Sequence, residues 1–209
     1  MLLYRFLDVE FALKSIREKR LRISRIHELN DPFEFLGADL SCPEKRSALR
    51  TAKQELSRSH GLICFSKTWT NPVLWGHYAD RHRGICLGFE IPDDLPRQVS
   101  YVNSRFTWPT QMDENFVMRL LFTKFVHWSY EDEYRVYASL NESENGHYFY
   151  NFSKEMKLKR LIVGPESDVS RDVVLSVLAD IGNEVEIFKA RAAFRSFQVV
   201  RNKDESLWN

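Results

Sequence analysis

The eight-residue segment Trp128-Ser129-Tyr130-Glu131-Asp132-Glu133-Tyr134-Arg135 holds two glutamates two positions apart where a loop runs into a strand. Extended geometry would point both side chains to one face. Like charges brought together raise one another's proton affinity, and such a pair persists where a cation, a substrate or solvent relieves it. Fixed carboxylates of this kind can stabilise a developing cation and accept a proton. A solvated strand end with Arg135 or a lysine as counter-ion explains the same spacing.

Arg5 interrupts an otherwise apolar first strand, LLYRFL, and its guanidinium must find a carboxylate or a ligand phosphate unless the strand is an edge. Ser66 follows the apolar run Ile63 to Phe65, a third polar group at a strand end. Between the glycines of Gly61 to Ile91, GLICFSKTWTNPVLWGHYADRHRGICLGFEI, a dense aromatic segment separates two apolar strands. Asn71-Pro72 can open a helix there that carries Trp75, His77 and Tyr78. These side chains could face a ligand, and Trp75 and Tyr78 are equally readable as core aromatics.

Other chemical templates fail. His77 and His82 are five apart on a presumed helix and point away from one another, no HExxH spacing exists, and no metal is expected. There is no P-loop, no GxGxxG and no GxSxG elbow. Cys64 with His77 is the remaining nucleophile pair, and the place of Cys64 in an apolar strand argues for an inert thiol.

The elements that must position these residues follow from periodicity. Met1 to Phe6 reads as a strand, and Asp8 is placed to cap a helix from Val9 to Lys19 with Phe11, Ala12, Ile16 and Leu13 towards its inner face. Leu21 to Ser24 reads as a strand, Asn30 to Glu34 as a loop forced by Asn-Asp before proline, and Glu44 to His60 as an exposed helix. Strands are expected at Leu62 to Phe65, Ile85 to Phe89 and Gln98 to Val102, then a helix at Asn115 to Phe125 and a strand from Glu133. Asn141 to His147 looks like a hairpin connection. A strand at Leu158 to Val163, a helix at Val169 to Ile181 with Val173, Val174, Val177, Leu178 and Ile181 inward, and strands at Val185 to Lys189 and Phe197 to Arg201 complete the chain. The pattern predicts an α+β fold, a single domain over residues 1–209 with a mixed, mostly antiparallel sheet and flanking helices.

Bulk composition narrows the function classes. Thirty Lys and Arg against 29 Asp and Glu leave a formal net charge of +1, so the whole-chain field favours neither nucleic acid nor an acidic membrane. Lys14 to Arg25 is the one conspicuous basic run, readable as a solvated face or as a phosphate-binding surface. Cys42, Cys64 and Cys86 show neither zinc-knuckle nor redox spacing, and free thiols with an N-terminus soon interrupted by charge point to the cytoplasm. No apolar run approaches membrane-spanning length.

The ordered set LYRF, NDPFEF, CFSKTWTNPVLWGHYADRHRGICLGFE, KFVHWSYEDEYRVY and LKRLIVG resembles the bacterial family called domain of unknown function 2971, along nearly the whole chain. That resemblance implies a setting in phage defence. More distantly, a basic residue on the first strand, an aromatic-serine strand end and a glutamate opening a later strand are similar to ADP-ribosyltransferases, including DNA-targeting toxins. The likeness implies an ADP-ribosyltransferase-like fold and NAD as substrate. It also implies Glu133 as catalytic glutamate, Glu131 as its partner, and Arg5 and Ser66 at the cofactor, with Trp75, His77 or Tyr78 beside it. An ADP-ribose acceptor, nucleic acid or protein, and an antitoxin or defence-system partner go with that reading. Two other functions compete: a noncatalytic nucleotide-sensing or partner-binding domain, and a nucleic-acid-processing enzyme using the basic run.

Overall fold

A computed structural model describes residues 1–181 and 184–208. Its elements follow in chain order as β1 (Leu2–Leu7), α1 (Val9–Arg17), β2 (Arg20–Ile23), α2 (Pro43–Ser59), β3 (His60–Ser66), α3 (Pro72–Tyr78), β4 (Ile85–Glu90), β5 (Arg97–Gln98) and β6 (Ser100–Val102). There follow α4 (Glu114–Leu121), β7 (Thr123–Phe125), β8 (Glu133–Ser139), β9 (Tyr148–Asn151), β10 (Lys157–Val163), α5 (Arg171–Leu178), β11 (Glu186–Ala192) and β12 (Val199–Arg201). The fold is α+β with mostly antiparallel pairing. Contacts sort the chain into two compact units, Met1–Leu21 with Phe65–Leu95 and Asn151–Asn209, and Arg22–Cys64 with Pro96–Tyr150.

In the first unit the strand order is β12-β11-β10-β4-β1. β4 runs antiparallel to β1 and to β10, and Tyr4 of β1 pairs with Ser66 at the end of β3. The parallel pair is β10 with β11, and a parallel pair needs a crossover, which α5 supplies. β4 reads ICLGFE and is buried from Ile85 to Phe89, the near-continuous apolar run expected of a strand covered on both faces. The cap at Asp8 starts α1 where the sequence places it, whereas the expected helix Val169 to Ile181 is shorter, Arg171–Leu178, because Ser170 caps it two residues later. The Asp8 carboxylate accepts from the Phe11 N–H at 2.8 Å, and the Ser170 hydroxyl caps α5.

The stripe of α1 is narrower than predicted. Ala12, Leu13 and Ile16 are buried, whereas Phe11 is exposed, because positions 12, 13 and 16 complete one helical face and 11 falls beside it. On α5, Val174, Val177 and Leu178 are buried and Val173 is exposed for the same reason. Phe197 lies outside β12, in solvent. After α3 the backbone takes three consecutive left-handed residues, Asp80, Arg81 and His82, before Gly84. A side chain at Gly84 would run into the Leu7 carbonyl oxygen, which is why the close return of the chain is built on glycine.

The second unit contains β3-β8-β5, with β5 antiparallel to β8, and the parallel pair β6 and β7. Its core is Ile26, Phe35, Ala38, Leu49, Leu62, Phe116, Leu120, Leu121 and Phe122. The predicted strand Gln98 to Val102 is two strands. At Val99 the chain changes partner, its N–H donating to the Glu133 carbonyl, while the next N–H, of Ser100, donates to Phe122. The predicted helix Asn115 to Phe125 ends at Leu121, and Thr123–Phe125 pairs with β6. β9 pairs with β2, so Asn141 to His147 joins strands that are not hairpin partners. α2 buries only Leu49 deeply, as its polar sequence predicts.

Candidate functional site

Glu133 opens β8, and Glu131 ends a 3-10 turn, Val126–Glu131. The two are not in extended register. Asp132 between them is left-handed, with φ of 42°, and its carboxylate accepts from the Gln98 side chain at 3.1 Å. The bend brings both carboxylates to one ammonium: Lys124 Nζ lies 2.5 Å from Glu131 and 3.3 Å from Glu133. Glu34 completes the ring at 3.5 Å from the same nitrogen.

Arg135, two residues along β8 from Glu133, shares its face and is 1% exposed. Its Nε and Nη2 donate to the two Glu133 oxygens at 2.8 and 3.0 Å. Its Nη1 and Nη2 donate to the two Glu34 oxygens at 3.0 and 2.7 Å, and Nη1 donates again to the Leu121 carbonyl. All five guanidinium N–H donors are therefore used. The solvated strand end is thus excluded: Glu34, Glu131 and Glu133 are each at most 5% exposed.

Surroundings tune these charges. Burial would raise the Glu133 carboxyl, but the Arg135 guanidinium, helped by Lys124 and the Cys64 thiol, outweighs it and holds the group below the usual carboxylate range. Burial would likewise pull Lys124 down, and the carboxylates of Glu133, Glu131 and Glu34 reverse that, holding it above the usual lysine range. The Tyr101 hydroxyl accepts from the Glu133 N–H at 2.9 Å, and burial with the nearby carboxylates pushes its pKa up. Trp128 lies against the Lys124 ammonium, 4.7 Å from nitrogen to ring centre, and Tyr130 sits beside it. The arrangement can hold the Glu133 carboxylate ionised next to half-buried aromatic rings.

Of the residues singled out in the sequence, Glu131 and Glu133 belong to the second unit, and Arg5, Ser66, Trp75, His77 and Tyr78 to the first. Arg5 sits on β1 opposite Leu87, next to Tyr4, whose partner is Ser66. Ser66 is buried, and its hydroxyl accepts from the Thr68 N–H at 3.2 Å. Trp75 offers no ring face to a ligand. It is fully buried, packs edge-on against Phe6, and donates its indole N–H to the Trp69 carbonyl at 2.6 Å. His77 is exposed and meets Tyr78 edge to face.

Sequence reasoning missed Glu34, Lys124 and Tyr101, and it set Cys64 with His77, whereas the Cys64 thiol lies beside Glu133. Lys124 carries a signal like that of Arg5, a charge inside an apolar run, FTKFV. Glu34 is marked only by its place after the Asn-Asp-Pro turn. Asp31 fixes that turn, its carboxylate accepting from the Phe33 N–H and its carbonyl from the Glu34 N–H. The basic run Lys14 to Arg25 is largely matched locally: Glu18 pairs with Lys14 and Arg20, and Glu28 with Arg22 and Arg25. Cys86 is buried, and burial raises its thiol pKa well above the usual value. Among the described residues no group of His, Cys, Asp and Glu could hold a metal ion, and no helix is long and apolar enough to cross a membrane.

Comparison with protein-family models, with curated proteins and with solved structures finds no match to this chain.

Proposed function

We propose that the protein breaks the nicotinamide–ribose bond of NAD, by ADP-ribosyl transfer or by hydrolysis, as a bacterial phage-defence or toxin effector. One observation supports this reading: Glu131 and Glu133 are fixed around a single ammonium, with Glu133 kept ionised by Arg135. As the C1′–N bond lengthens, nicotinamide leaves with the bonding electron pair and the ribose takes on positive charge. A preorganised carboxylate pair stabilises that charge and accepts a hydrogen bond from a ribose hydroxyl. The acceptor oxygen or nitrogen then bonds to C1′ and gives its proton to Glu131 or to water. Trp128, against the Lys124 ammonium, and Tyr130 beside it take the stacking role that burial denies to Trp75.

A second reading has its own observation. Arg135 occupies both Glu133 oxygens, which suits a structural glutamate in a noncatalytic nucleotide-sensing or partner-binding domain. Nicotinamide release and calorimetry with NAD separate the two. Turnover by the parent, lost in Glu131→Gln and Glu133→Gln while thermal unfolding shows both variants folded, supports the enzyme. Saturable NAD binding without turnover supports the sensor. If the parent neither binds nor cleaves NAD, both readings fail.

A further inference from the structure

Helix α2 places Arg50, Lys53, Gln54, Ser57 and Arg58 along one face, each joined to another by the three- and four-residue steps that align side chains on a helix. They line an open groove of about 620 Å³, closed on other sides by Arg25 and Tyr148. All of its lining residues belong to the second unit. Of the eight residues that line it, four are cations, Arg25, Arg50, Lys53 and Arg58. Arg25 is matched by Glu28, and Lys53 spends a hydrogen bond on the Glu34 carbonyl at 3.3 Å. Arg50 and Arg58 stand in the groove without a carboxylate within ion-pair distance among the described residues. The Ser57 hydroxyl is buried and has no hydrogen-bond partner among the described residues.

We propose that this groove binds a segment of single-stranded nucleic acid, phosphates on the α2 cations and a base stacked on Tyr148. Guanidinium forks match phosphate oxygens two at a time. Arg50 and Arg58 are eight residues apart, about 12 Å along the helix axis, which outreaches one phosphate and suits two non-adjacent phosphates of one strand. The open shape admits a chain that enters and leaves, and an aromatic ring beside a basic track is the usual platform for unpaired bases. The site goes beyond the NAD reading and stands or falls without it.

Fluorescence anisotropy of the full chain with a labelled oligothymidylate of about twelve nucleotides tests it, with ADP and polyglutamate as competitors. Binding should be salt-dependent, and the double variant Arg50→Ala/Arg58→Ala should flatten the slope of log K against log salt by about 1.4, two phosphate contacts at about 0.7 each. Tyr148→Leu should weaken binding about tenfold through lost stacking. ADP and polyglutamate should compete only at much higher concentration. The proposal is overturned if the strand does not bind, or if the folded double variant keeps the parent's affinity and slope. Competition by polyglutamate at equal charge makes the groove a general anion exchanger, and equal binding of ADP makes it a mononucleotide pocket; either overturns the strand assignment. Arg50 and Arg58 are exposed and touch none of the buried glutamates, so thermal unfolding should be unchanged in the double variant.

Discussion

Two of the protein's glutamate–cation clusters are of opposite kind. In the second unit, Glu34, Glu131 and Glu133 meet Lys124 and Arg135 at exposures of 8% or less. In the first, Glu184 bridges Lys157 and Lys159 at 2.6 and 3.0 Å in open solvent. Distances alone would rank them together, yet their surroundings make them different objects. Hydrogen bonds from Lys157 and Lys159 bring the Glu184 carboxyl to about 2, and water screens every charge in the trio, so little stability rests on it. Inside the second unit each charge has lost its hydration, and only its partners compensate. Removing one partner there strands the rest. Position in the fold, and not the ion-pair distance, decides which glutamates carry consequences.

Arg135→Met breaks the comparison most severely. It leaves Glu34 and Glu133 without their shared guanidinium, and chemical denaturation should show a loss of about 3–5 kcal/mol. Glu133→Gln combined with Arg135→Met should cost less than the sum of the two single variants, with a coupling of about 0.5–3 kcal/mol. Strict additivity would mean the two residues do not act as one network.

The pH dependence sharpens the same contrast. Because the folded Glu133 carboxyl titrates below its unfolded value of about 4.3, its stabilisation is complete above that pH and is lost as the pH falls through the lower folded value. Lys124 behaves oppositely. Its folded pKa lies above the unfolded value of about 10.4, so its share is complete below that pH and lost as the pH rises through the folded value. Urea midpoints should therefore be flat through neutrality and fall at both ends. In Arg135→Met burial dominates Glu133 and raises its folded pKa above the unfolded value, so its acid loss should disappear and its share of the stability should instead rise as the pH falls through that raised value; an acid limb overlaying the parent's would refute the assigned cause.

Asp132→Ala should cost about 1 kcal/mol, since an alanine tolerates the left-handed bend less well and cannot accept from Gln98. Smallest of all is Glu184→Gln, for which no shift in thermal midpoint is expected. A clear drop there would show that the exposed trio matters as the buried one does.

Local structure was legible wherever one residue type has one local use. Asp8 and Asn71 each cap the helix that follows, Pro72 sits in the first turn of α3, and the Asn-Asp-Pro turn forms where the sequence puts it. The glutamate pair was legible as a pair, but its setting was not. Extended alternation would have spread it along a strand, and the bend at Asp132 gathers it around Lys124 instead. Gln98 to Val102 reads as one strand because partner choice leaves no trace in alternation, and the switch at Val99 depends on β7 and β8 arriving together. Trp75 and the neighbouring histidines drew notice by density, and density does not distinguish a ring that fills the core from one that meets a ligand.

The sequence by itself determined the α+β class, the helix starts, the apolar strands and the residues that carry charge, because these follow from backbone sterics and hydrophobic period within a few positions. Only the tertiary structure decided which charges are buried and with whom. Glu34 and Arg135 are separated by 101 residues, and their bidentate contact exists because the turn before Glu34 and the strand holding Arg135 pack into the same unit. No local rule encodes such a meeting, and desolvation, which gives the cluster its energy, is a property of the packed fold.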